Sequence, residues 1–157
     1  VMSTDNQTEY QLGFWTIHGD VGDFDPIQDL WKTEVYGLAN WLVEKYKSAN
    51  EGHADCYTDM SAAQKQYALE QSIALTPTDG LGISNSDLDQ IGAKSYDEVD
   101  DILQTAMDNR FSSVMGWMIP LIEKYGEDVV NKVWGRHLAS EFKRKKAPIY
   151  ISRKLYE

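Results

Sequence analysis

One cysteine, Cys56, stands in a chain of 157 residues, so no internal disulfide framework can hold the fold together. Proline and glycine are also scarce, at 4 and 11 residues, which argues against collagenous, low-complexity and disordered classes. Apolar runs are only a few residues long, whereas a bilayer-spanning helix needs about 20. The opening VMSTDNQTEYQL has neither a basic start nor an apolar core, so no secretory signal is read there and a cytoplasmic address is expected. A glycine-rich phosphate loop, a Gly-x-Ser-x-Gly elbow and a Cys-x-x-Cys pair are all missing.

What remains is the composition of a packed domain, with 42% hydrophobic and 25% charged residues in a length that suits a single core. A net charge of −10 argues against nucleic acid as a partner, because phosphate neutralisation needs clustered Lys and Arg. That charge is graded along the chain. Residues 1–131 hold 7 basic and 23 acidic side chains, and residues 132–157 hold 8 basic and 2 acidic. The simplest reading of the gradient is a basic end packed or solvated beside an acidic body. Association of chains or an anionic partner at that end is the alternative.

Periodicity predicts an all-α, single-domain bundle of four main helices over 13–146, with a flexible tail at 1–12 and an extended arm at 147–157. The first helix is expected to start at Asp25 and Pro26, with Gln28 returning a capping-box bond, and to end near Asn50 to Gly52. The second spans about Met60 to Leu75, and a short turn of helix falls around Asp87 to Ile91. Ser95 and Glu98 open the third, whose apolar positions run on from Tyr96 to Met118, with Pro120 placed to break it. The fourth runs from about Glu127 to Lys145.

Projected at about 100° per residue, these helices carry ionisable side chains on their apolar faces. Glu34 falls between Trp41 and Ile27, Arg110 between Val99 and Leu103, and His137 and Glu141 within the stripe of Val130, Val133, Trp134 and Leu138. Buried charge must be paired, hydrated or bound to something. Three arrangements meet that need: a closed ion-pair network that fixes helix register; a pocket lined by Trp31, Trp41, Met107, Phe111 and Trp134; or a metal on Glu34, His137 and Glu141. Di-iron bundles need Glu-x-x-His pairs, and none occurs, so no metal and no cofactor is expected. In the pocket reading Glu141, His137 and Glu34 are catalytic, while Arg110, Trp134, Trp41 and Phe111 hold a small carboxylate-bearing molecule. Cys56 with His53 and Asp55 suggests a thiol nucleophile only weakly, and His18, Asp20, Asp23 and Asp25 lack the order of an EF-hand.

The segment GWMIPLIEKYGEDVVNKVWGRHLASEFKRK, Gly116 to Lys145, resembles the helix, Lys-Tyr-Gly-Glu turn and Trp-bearing helix of the L-2-amino-thiazoline-4-carboxylic acid hydrolase family. That resemblance implies hydrolysis of a small cyclic substrate with a carboxylate. Against this stands an acidic protein-interaction module, whose face at 87–108 includes Asp97, Asp100 and Asp101, or a helical subunit completed by another chain or a second copy.

Overall fold

The computed structural model describes residues 2–15, 24–49, 60–78, 85–109 and 113–145. Eight helices lie among them: α1 (Gln7–Leu12), α2 (Lys32–Ser48), α3 (Ala62–Ala74), α4 (Asp87–Ile91), α5 (Tyr96–Asp108), α6 (Val114–Tyr125), α7 (Glu127–Ala139) and α8 (Glu141–Lys145). The all-α class is as the sequence predicts. The described residues hold no strand, only an isolated bridge between Met2 and Phe24. No helix among them is long and apolar enough to cross a membrane.

The core is built from α1, α4, α5, α6 and α7. Leu12, Ile91, Ile102, Leu103, Val130 and Val133 are almost fully buried within one cluster, to which α6 adds Trp117 and Leu121. Segment 1–12, expected as a tail, instead contributes α1. Asn6 caps it through a reciprocal box, accepting from the Glu9 amide while the Glu9 carboxylate accepts from its own, each at 3.1 Å. Gly13 ends it at φ 68°, and a Cβ there would lie 2.5 Å from that of Ser140, so both conformation and close approach require glycine.

Three expected boundaries move. The first long helix begins at Lys32, since Pro26 to Asp29 form turns and the acceptors for the opening amides of α2 sit beside Lys32 and Thr33. The third ends at Asp108, where the Asn109 side chain closes on the Thr105 carbonyl at 2.8 Å, and Pro120 lies inside the separate helix α6. Ser140 divides the fourth into α7 and α8 by turning its hydroxyl onto the carbonyls of Gln11 and His137. Helices α2 and α3 run antiparallel, tied by Lys47 to Glu70 and by Lys65 over Tyr46. Of this pair only Val43 is buried.

Candidate functional site at the α1, α2 and α5 junction

The basic C-terminal side chains find their partners on α1. A helix end leaves carbonyls unsatisfied and carries partial negative charge. Arg136 Nε donates to Leu12 O at 3.1 Å, with its guanidinium 4.0 Å from the centre of the Phe14 ring. Arg144 donates to Gln11 O, and Lys143 to the carbonyls of Gly13 and Trp15. His137 completes the set. Its ring stacks on Trp134 with centroids 4.7 Å apart, and Nδ1, facing the Gln11 carbonyl at 3.2 Å, must donate there. Burial, and then the nearby Arg144 cation, hold its pKa below the usual histidine range, with the Gln11 bond and Glu141 opposing. Arg136 and Lys143 line a groove of about 190 Å³ along with Leu12, Gly13, Ala139, Ser140 and Phe142, and both already donate to carbonyls at the end of α1 or just beyond it.

The other predicted site residues do not gather there. Glu34 is exposed in the first turn of α2, where its carboxylate accepts from the Trp31 amide at 2.8 Å. The projection placed it inward because it started the helix at Pro26. Trp41 is 57% exposed beneath Lys45. Glu141 is exposed at the start of α8, because the chain breaks at Ser140 and the buried stripe of α7 is Val129, Val130 and Val133, leaving Leu138 at 52%. Arg110 and Phe111 lie outside the described residues, as do His18, His53, Asp55 and Cys56. Among the described residues no group of three His, Cys, Asp or Glu could hold a metal. The acidic face also dissolves in part, since Asp100 is only 2% exposed and Asp101 accepts from Tyr125 and Lys124.

A different polar cluster occupies the junction. Lys32 Nζ lies 2.6 Å from the Glu9 carboxylate, with side-chain exposures of 14% and 18%. The ammonium also sits 5.9 Å and 5.6 Å from the ring centres of Tyr36 and Tyr96, close enough for both to stabilise the cation. Burial, and then the negative groups around it, push the Tyr96 phenol well above its ordinary pKa, so it stays neutral and can donate a hydrogen bond. Beneath the pair, Asp100 accepts from Thr8 and Thr33. Burial raises the Asp100 pKa and those bonds oppose the rise. A groove of about 220 Å³ opens beside it, lined by Lys32, Val35, Tyr36 and Ala39 from α2 and by Ser72, Ile73, Leu75 and Pro77. A cation at the rim of an apolar slot suits a ligand with an anionic group and a flat or apolar body. The sequence does hold a signal for Glu9, the Asn6-x-x-Glu9 capping box, but it falls in the stretch read as a tail.

A family model described as NAD synthase matches residues 1–147. The chain belongs to the NAD synthase family. An NH(3)-dependent NAD(+) synthetase of Methanoregula boonei is 31% identical over 154 residues, 97% of this chain and 47% of that protein. Its counterpart in Thermoplasma volcanium is 32% identical over 109 residues, 69% of this chain and 35% of its own length. A glutamine-dependent NAD(+) synthetase of Xanthomonas campestris is 52% identical over 42 residues, 26% of this chain and 8% of that protein. The chain thus spans about a third to a half of the NH(3)-dependent relatives and less than a tenth of the Xanthomonas protein. No solved structure matches it. The NAD synthase match overturns the resemblance to an aminothiazoline carboxylate hydrolase, which rested on a helix-turn-helix segment of 116–145. With it goes the expected hydrolase acting on a small organic acid through a Glu base and an Arg clamp, since the relatives are named as synthetases, which join molecules.

Proposed function

We propose that this chain supplies the helical part of an NAD+ synthetase, and that the α1, α2 and α5 junction binds a phosphate of its nucleotide substrate through Lys32. The single observation that carries the reading is the placement of Lys32, paired with Glu9, in the lining of the groove, in a chain matched to NAD synthase across 1–147. Making NAD+ with ammonia turns a ring carboxylate into a carboxamide, with one oxygen lost. A carboxylate does not react with ammonia unaided, so the acyl group must first be activated, and ATP is the reagent that fits a synthetase. Both substrates, ATP and the carboxylate dinucleotide, then carry several phosphate charges on flat bases. A lysine presents three donors as a compact charge, one of them already directed at Glu9, and the apolar walls of Val35, Ile73 and Leu75 suit a base or its ribose edge. Glu9, next to that ammonium, keeps the charge in place before the ligand arrives and is a second contact for whatever cation accompanies the phosphates.

The test is a titration of the 157-residue chain with ATP and, separately, with the carboxylate dinucleotide, followed by tryptophan fluorescence. Saturable binding of at least one, weakened about tenfold or more by Lys32→Ala, is the expected result, in keeping with the loss of a charge-assisted contact. Binding unaffected by that substitution, or none from either ligand at millimolar concentration, would overturn the reading.

A further inference from the structure

Helix α2 starts without a cap of its own. The first amides of a helix have no intrahelical acceptor, and the preceding residue normally supplies one from a short polar side chain. Here that residue is Trp31, which has none to offer. Other helices supply the acceptors. The Lys32 amide donates to Thr8 Oγ1 of α1 at 2.9 Å, and the Thr33 amide to Asp100 Oδ2 of α5 at 2.9 Å. The Thr33 hydroxyl donates to the same oxygen at 2.8 Å, and the Thr8 hydroxyl to Asp100 Oδ1 at 2.5 Å. One buried carboxylate therefore takes three donors from two helices and lies at the positive end of α2, where a negative charge is favoured.

The residues it holds are the neighbours of the ion pair. Thr8 precedes Glu9 and Thr33 follows Lys32, and Thr8 also carries the Lys32 amide itself. Asp100 touches neither charged group of the pair in these bonds, yet it fixes the backbone beneath both. We propose that Asp100 is a positioning residue: it sets the distance between Lys32 and Glu9, and so the place where the ammonium meets its ligand, through Thr8 and Thr33. This rests on the reading of Lys32 as a phosphate contact only for its consequence in binding; the geometric part stands apart from it.

Two measurements keep the two claims separate. The first needs no ligand: the rate of reductive methylation of Lys32, read by mass spectrometry against the exposed Lys132 in the same sample, with far-UV circular dichroism to verify folding. Asp100→Asn keeps the shape and one acceptor for Thr33 but removes the charge and turns an NH₂ toward Thr8. Thr8→Val cuts the relay at its middle and Thr8→Ser preserves it. Labelling of Lys32 should rise about fivefold or more in the Asn and Val variants and stay near the parent rate in the Ser variant, since a paired, half-buried amine becomes a loosely held one. No change in the first two variants, or an equal change in all three, overturns the proposal.

The second is a cycle of ATP dissociation constants for the parent, Asp100→Asn, Lys32→Ala and the double variant. Groups that act through one another are not additive. Asp100→Asn should weaken ATP binding about fivefold or more when Lys32 is present and by about twofold or less when it is absent. The same factor in both backgrounds means that Asp100 does not work through Lys32, which overturns the proposal even if binding falls. Should Lys32→Ala leave ATP affinity intact while the labelling responds as expected, the phosphate reading fails and the positioning role stands.

Discussion

Replacing Arg136 by Ala tests whether the basic end of the chain is a clasp on α1. The side chain gives a charged hydrogen bond to Leu12 O, a long bond of 3.4 Å to Gln90 Oε1, and a guanidinium stacked on Phe14. A hydrogen bond from a charged donor contributes about 1.5 to 3 kcal/mol and a partly exposed cation–π contact about 0.5 to 1. The Gln90 bond adds little at that length. Arg136→Ala should therefore cost about 2 to 4 kcal/mol, with the aliphatic stem that covers the ring part of the same loss. For a domain of this size that is a fall of roughly 4 to 16 °C in Tm. Thermal unfolding followed at 222 nm reads it, with Lys132→Ala as the control, because its exposed pair with Asp128 is worth well under about 1 kcal/mol. Arg136→Lys should fall between, keeping the charge and losing the planar stack. If Arg136→Ala melts within about a degree of Lys132→Ala, by the scale of such surface pairs, the clasp contributes nothing and α1 is held by its apolar contacts alone.

Three further expectations follow from the packing and the titration. Leu103→Ala, at a fully buried position, should destabilise by about 2 to 5 kcal/mol in urea, and Leu138→Ala, half exposed, by no more than about 0.5. Gly13→Ala should cost more than about 1 kcal/mol because of its positive φ and the contact with Ser140, whereas Gly37→Ala, with nothing near its missing Cβ inside α2, should stabilise by about 0.5 to 1. His137 has a folded pKa below its unfolded one, so its neutral form is the one the fold prefers. Stability from this group is complete above the unfolded value near 6.5 and is lost as pH falls through the depressed folded one. A Tm profile from pH 7.5 to 5 should slope down toward acid, and His137→Gln should flatten it; an unchanged slope contradicts the burial of a neutral ring.

Much of the fold was legible because it rests on local signals. Ser61 and Gln64 cap α3 reciprocally, as the helix expected from about Met60 requires. Ser95 caps α5 through the Glu98 amide, while the Glu98 carboxylate reaches one residue further, to the Lys94 amide. Gly126 separates α6 from α7, immediately before Glu127, where the sequence predicts the fourth helix to start. Two of the boundaries that moved are set by partners distant in sequence. The start of α2 depends on Thr8 and Asp100, which no pattern around Asp25 and Pro26 can reveal. The end of α7 depends on Ser140 meeting α1.

The site was less legible for the same reason. Helical projection assumes that a polar residue on an apolar arc points at the core, and that assumption fails for Glu34 and Glu141, which sit within one turn of a helix start. Asp100 made the opposite impression. Amid Asp97, Glu98 and Asp101 it reads as part of a solvated acidic face, yet it is the one turned inward onto two threonines. Only the folded position of α1 brings Glu9 within reach of Lys32.

The most direct test of the central claim is a map of amide shifts by heteronuclear NMR as ATP is added to the 157-residue chain. The account predicts that the largest changes fall on Lys32, Thr33, Tyr36, Ser72 and Ile73, around the α2 groove. Changes gathered instead on Leu12, Arg136, Ser140 and Lys143, around the clasp, would contradict it.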